Sequence, residues 1–244
     1  MEAYLDNSAT TRVDAQVQEL MKKLMDVDFG NPSSRHQKGV VAEGYIKEAR
    51  QKIAATLKVD PKELIITSGG TESNNMALIG TALAAKRKGN HIITTAVEHP
   101  SVKATASFLE EQGFRITFLS VDSRGQISLE DLKEALTPDT ILVSIMYVNN
   151  EIGTIQPVEE AAKLVHATVP GAVFHVDAIQ AYGKVMIRPK QQGIDLLSVS
   201  SHKFHGPKGA GFLYCSSKVN LHPIIFGGGQ QSGMRSGTEN VPGA

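Results

Sequence analysis

The feature that most constrains this fold is a change of rhythm that begins at Leu64. From there, apolar runs of strand length alternate with segments of helical periodicity. The runs are 64–67, 91–96, 115–119, 140–148, 172–176 and 195–200, and the helical segments are 71–88, 101–112, 129–136 and 158–168. Strands this uniformly apolar must be covered on both faces. The alternation therefore predicts an α/β fold with a mostly parallel central sheet between helical layers. Residues 209–215 and 223–226 have no helix between them, so an antiparallel strand is expected there. Upstream, Asp14 is placed to cap a helix with Val17, Leu20, Met21 and Leu24 on its apolar face. A second amphipathic helix is expected over 39–57, with Ile46, Ala49, Ile53 and Leu57 on one side. A Gly-rich loop over 227–240 closes the sequence.

Composition removes several function classes. Lys and Arg balance Asp and Glu at 25 each, so no global field draws the chain to nucleic acid or to acidic lipid. The apolar stretch 141–148 is far short of the ~20 residues that span a bilayer. The N-terminus lacks a basic start and an apolar secretory core. The single cysteine, Cys215, allows no intrachain disulfide and suits a cytoplasmic protein.

In open α/β sheets, ligands bind beyond the carboxyl ends of the strands. The residues that follow the apolar runs are Ser68-Gly69-Gly70-Thr71, Glu98-His99, Asn149-Asn150-Glu151, Asp177 with Gln180, and Ser200-Ser201-His202-Lys203. Repeated polar endings of this kind favour a composite site. Ser68 to Thr71 joins a strand to a helix start. It reads either as a helix cap at Ser68 or Thr71, or as a phosphate pocket built of backbone amides and the Thr71 hydroxyl. It matches neither the dinucleotide nor the triphosphate glycine pattern. Lys203, between hydroxyls and a histidine, is a candidate Schiff-base nucleophile. Asp177 can accept a hydrogen bond from a protonated ring nitrogen, and His99 can move protons. An imine-forming lysine, an acid for a pyridinium and a phosphate pocket together describe a pyridoxal 5'-phosphate site.

These stretches also resemble a known family. Residues 4–11, Gly30-Asn-Pro-Ser-Ser34 with His36, and Thr67 to Asn75 are similar to the cysteine desulfurases of the nitrogen-fixation and iron–sulfur-cluster type. So are Glu98-His99, Asn149 to Gly153, His175 to Gln180 with Gly183-Lys184, Ser200 to Lys203 with Gly206-Pro207, and Gly227 to Gln230 with Arg235 to Thr238. The resemblance runs the whole length in order. It implies a class-V aminotransferase fold in which residues 1–14 belong to a small domain and residues 15–244 form the large, cofactor-binding domain. Lys203 is then expected to hold the cofactor and move protons, and His99 to stack on the ring as acid and base. Asp177 would pair with the ring nitrogen, Gln180 with the phenolic oxygen, and Asn150 with cofactor or substrate. Gly70, Thr71, Ser200 and His202 would hold the phosphate, and Thr238 would reach the phosphate of the other subunit of a homodimer.

The implied reaction takes L-cysteine to L-alanine and passes sulfur as a persulfide to acceptor proteins such as an iron–sulfur scaffold. No metal is implied. The family continues past Ala244, into the rest of the small domain, a carboxylate-binding arginine and a cysteine-bearing loop. Cys215 sits in a strand-like run and is expected to be a packed thiol, not that nucleophile. Little desulfurase turnover is therefore expected of these 244 residues alone. Another class-V enzyme, such as a selenocysteine lyase or an aminotransferase, and a non-catalytic subunit that binds sulfur acceptors are the alternatives.

Overall fold

The computed structural model describes residues 3–244. Two helices come first, α1 (Ala15–Asp26) and α2 (Gln37–Leu57). Strands and helices then alternate: β1 (Leu64–Thr67), α3 (Gly70–Ala85), β2 (His91–Thr95), α4 (Pro100–Glu111), β3 (Arg115–Leu119), α5 (Leu129–Ala135) and β4 (Thr140–Met146). There follow α6 (Val158–Thr168), β5 (Val173–Asp177), α7 (Pro189–Gln192), β6 (Leu196–Ser200) and β7 (Gly211–Cys215). The seven strands form one sheet in the order β1-β7-β6-β5-β4-β2-β3. All neighbours from β6 to β3 are parallel, and β7 runs antiparallel to both β6 and β1. The expected antiparallel strand is thus β7. Residues 223–226 form no strand; His222 N–H bonds the Gly80 carbonyl at 3.1 Å and turns the chain onto α3 instead.

Because side chains alternate along a strand, each strand feeds two cores. Val143, Ile145, Phe174, Val176, Leu197 and Val199 pack with α5 and α6 on one face. Leu142, Ile92, Leu196 and Leu213 pack with α3 and α4 on the other. At the amino end of the chain, α1 starts as expected, with Asp14 accepting the Gln16 N–H at 2.8 Å. Its apolar face is less buried than its periodicity predicts. Only Leu24 is buried and Leu20 is 47% exposed, because α1 lies against α2 and the turn at Val241 and not against the sheet.

The α3–α4 face also carries a polar stripe. Ser144, His175 and Ser198 lie side by side, with His175 Nδ1 2.8 Å from Ser144 Oγ and Nε2 2.9 Å from Ser198 Oγ. Two residues on from His175, on the same face, stands Asp177 at the carboxyl edge. Burial pushes His175 down to about 3. His91, bonded to Thr140 and Thr117, is pushed down to about 4, first by burial and then by Arg115. A histidine depressed in the folded state stabilises above its unfolded value, and that stability is lost as pH falls toward the folded value. For these two the loss starts near pH 6.5 and costs about 1.4 kcal/mol per pH unit per group. Denaturant unfolding at pH 6.5 and pH 4.5 should therefore show a fall that His175→Gln lessens. An equal fall in both proteins would refute the assignment.

Candidate functional site

At the carboxyl edge of the parallel strands lies a cavity of about 860 Å³. Nine of the ten residues singled out from the sequence line it: Gly70, Thr71, His99, Asn150, Asp177, Gln180, Ser200, His202 and Lys203. They come from three strand ends and the starts of two helices, which is why no short motif holds them. Thr238 does not join them; it is exposed on the closing loop, outside the cavity.

Asp177 ends β5 and is 4% exposed. Its Oδ1 accepts the Ile179 N–H at 3.0 Å and its Oδ2 accepts Asn74 Nδ2 at 2.8 Å. Burial raises its carboxyl above the ordinary value, while these two donors, His99 and Lys203 favour the charged form. Glu98, just past the end of β2 and two strands over, is buried and pushed up to about 8 by desolvation. One of its oxygens accepts Thr95 Oγ1 and the Met146 N–H, both at 2.8 Å. Near neutrality Glu98 thus favours its protonated form, so it adds no negative charge beside Asp177.

Lys203 lies in the short turn after β6. Its Nζ donates to the carbonyls of Ser8 (2.5 Å) and Ala9 (2.8 Å). Burial lowers its affinity for a proton, and Lys184 lowers it further, against Asp6 and Asp177. Lys184 is itself held down by burial and donates to Gln180 Oε1 at 3.2 Å. A second amine beside a partly dried lysine shifts it toward the neutral, nucleophilic form. Gln180 Nε2 in turn donates to the Ser8 carbonyl at 2.8 Å. The amino-terminal segment thus closes one wall of the cavity.

The loop before α3 is an open anion cradle. Gly69 stands at the cap position with φ 144°, a conformation that favours glycine, and no side chain caps the helix. The cap expected at Ser68 or Thr71 is absent. At Gly70 a Cβ would come within 2.0 Å of Ile179 Cδ1, so a larger residue there would have to displace the Ile179 side chain. The start of the helix therefore offers backbone N–H groups to the cavity. Glu72 would oppose an anion there, but Arg235 neutralises it with contacts of 2.8 and 3.2 Å. His202, whose imidazole is lowered by burial and by Lys203, bonds Thr10 through Nδ1 at 3.1 Å. Asn150 borders the cavity and donates to Glu151 at 2.6 Å.

The donor set fits pyridoxal phosphate: a buried carboxylate for a ring N–H, uncapped helix amides for a phosphate, and a partly desolvated amine for an aldehyde. Cys215 is no nucleophile here. It lies in β7, and burial pushes its thiol up to about 12. Among the described residues no cluster of His, Cys, Asp and Glu is placed to hold a metal. None of their helices is long and apolar enough to cross a membrane. Asn74, Ser101 and Lys184 join the site without having been singled out from the sequence. Asn74 and Lys184 lie inside stretches that carried the resemblance, but only the folded geometry shows what they touch.

The cysteine desulfurase IscS of Dictyoglomus turgidum is 50% identical over 242 residues, which is 99% of this chain and 61% of that protein. That of Methanosarcina thermophila is 49% identical over 240 residues, 98% of this chain and 59% of that protein. The chain thus spans about three fifths of the length of these curated relatives. A solved NifS-like protein superposes with a TM-score of 0.97 at 45% identity, covering 100% of this chain and 67% of that one. SspA, solved in complex with cysteine, gives 0.95 at 40%, covering 99% and 70%. The sequence profile of the class-V aminotransferases matches residues 3–244, and the chain belongs to that family.

Proposed function

We propose that this chain binds pyridoxal 5'-phosphate and acts on L-cysteine as the cofactor-binding part of a cysteine desulfurase. The observation that carries this is the convergence of Lys203, Asp177, His99 and the uncapped α3 amides on one cavity. When bound, the cofactor supplies an electron sink beside the α-carbon of an amino acid. The chain's own residues do the rest. Lys203 gives the neutral amine and accepts the α-proton. Asp177 would hold the ring N–H, and Gln180 would meet the phenolic oxygen. Gly70, Thr71, Ser200 and His202 would hold the phosphate, Asn150 would contact cofactor or substrate, and His99 would stand at the ring.

The reaction gives L-alanine and moves sulfur to a thiol as a persulfide. Cys215 lies in β7 with its thiol pushed up to about 12, a poor thiolate, so sulfur goes to a cysteine outside these 244 residues. From there it would pass to an acceptor such as an iron–sulfur scaffold. A cytoplasmic homodimer fits this reading, with Thr238, exposed on its loop, entering the partner subunit's site. Assigning residues 1–14 to a second, smaller domain fits the exposed Tyr4 and Leu5, though residues 8–14 also bond the large domain; Met1 and Glu2 lie outside the described residues.

The test follows the α-proton of substrate in deuterated water after pyridoxal phosphate is added. L-Cysteine should exchange its Cα hydrogen and perturb the cofactor spectrum, with little free alanine formed. Selenocysteine and an amino acid–keto acid pair are run alongside. Transamination of the pair without exchange of cysteine would overturn the substrate assignment.

A further inference from the structure

We infer that Asn74 and Ser101 are positioning residues that hold the neutral ring of His99 with its proton on Nε2, the nitrogen left for the cavity. The inference gains its chemical meaning from the function proposed above, but its geometry stands without any cofactor.

His99 is the residue before α4, and its side chain caps that helix. The Ser101 backbone N–H lies 3.1 Å from His99 Nδ1. A backbone N–H can only donate, so Nδ1 must offer its lone pair. The Ser101 hydroxyl is also 2.8 Å from Nδ1. Its direction is set by a third group. Asn74, fully buried on the inner face of α3, places Nδ2 2.9 Å from Ser101 Oγ. That amide hydrogen occupies an oxygen lone pair and leaves the hydroxyl hydrogen to point at Nδ1. The other Asn74 N–H goes to Asp177 Oδ2 at 2.8 Å. The opposite amide orientation would set a carbonyl oxygen against a carboxylate, so the assignment of Nδ2 follows from charge.

The result is a chain in one direction, from Asn74 through Ser101 to His99, anchored on the carboxylate expected to meet the ring nitrogen. Nε2 has no hydrogen-bond partner among the described residues, and His99 borders the cavity. The neutral imidazole therefore presents a donor to the cavity. A second proton, at Nδ1, would face the Ser101 N–H donor against donor. This narrows the acid-and-base role expected of His99. In this form it gives a hydrogen bond from Nε2–H, and taking the α-proton falls to Lys203.

The experiment is long-range proton–nitrogen NMR on the full 244-residue chain labelled with ¹⁵N-histidine, with His99 assigned by its loss in His99→Gln. The unaltered chain should show Nε2 protonated and Nδ1 bare, with or without pyridoxal phosphate. Ser101→Ala keeps the backbone donor and removes the hydroxyl. It should move the tautomer ratio toward Nδ1–H by about fivefold, the worth of one hydrogen bond. Ser101→Thr, which restores a hydroxyl, should restore the ratio, and Asn74→Ala should shift it in the same direction as Ser101→Ala. Protonated Nδ1 in the unaltered chain, or an unchanged ratio in Ser101→Ala, would overturn the inference. Failure of the chain to bind the cofactor would count against the proposed function and leave these spectra unaffected.

Discussion

Lys203→Ala will abolish the visible absorbance band that forms when pyridoxal phosphate is added to the unaltered chain. An aldehyde needs a neutral primary amine within reach, and the cavity is built to supply one there. Burial and the neighbouring Lys184 both lower the proton affinity of Lys203. Lys208 also borders the cavity, but it is exposed and lies on the far side of the Gly206-Pro207 turn. Exchange of the cysteine α-proton should fall by about 10²–10⁴-fold in Lys203→Ala, the usual worth of a positioned base, even if the cofactor stays bound without a covalent link. The fold should survive. The hydrogen bonds lost are those to the Ser8 and Ala9 carbonyls, each worth about 1 kcal/mol net. Lys203→Arg keeps the charge and those acceptors but cannot form the imine, so it should behave like the alanine variant. A band that persists in both would place the reactive amine elsewhere.

The order of strands and helices was legible because it rests on burial alone. Strands covered on both faces read as unbroken apolar runs, and β1, buried at every position, lies where its run predicts; β3 also has its expected bounds, although as an edge strand it is only partly buried. The site was legible in part for a related reason. A polar residue directly after such a run has little to do in the core, and Asp177, His99 and Lys203 are of that kind. What escaped are contacts between segments far apart in sequence. Gln231 is one case. Its side-chain amide accepts the Ile66 N–H and donates to the Ile66 carbonyl, both at 2.7 Å, and so imitates a neighbouring strand at the edge of the sheet. In the sequence it is only one more polar residue in a Gly-rich loop. Asn74 is another. An amide in the middle of an apolar helix face is a sign of buried polar contact, but nothing in its own segment names Ser101 and Asp177 as its partners. Thr238 differs again: its expected role belongs to a second subunit, which a single chain does not contain.

Asp177→Asn should erase the chain's preference for a cofactor with a protonated ring nitrogen. Buried at 4% exposure, the carboxyl is raised by desolvation against its Ile179 and Asn74 donors, so its charged form gains further from a cation that meets it. A pyridinium N–H is such a partner. The Asp177 carboxylate and a protonated ring nitrogen favour each other, and hydrogen bonds to charged groups of this kind are worth about 1.5–3 kcal/mol. The unaltered chain should therefore bind pyridoxal phosphate about 10–100-fold more tightly than a benzaldehyde analogue that keeps the phosphate and phenol but lacks the ring nitrogen. In Asp177→Asn the ratio should approach one. Measuring both ligands on both proteins makes a thermodynamic cycle in which general loss of packing cancels. That cancellation matters, because the asparagine amide must turn one N–H toward Asn74 or toward the Ile179 N–H, each of which now donates to a carboxylate oxygen. A variant that weakens both ligands equally would assign Asp177 to holding β5 and α3 together. A ratio that collapses would assign it to the ring.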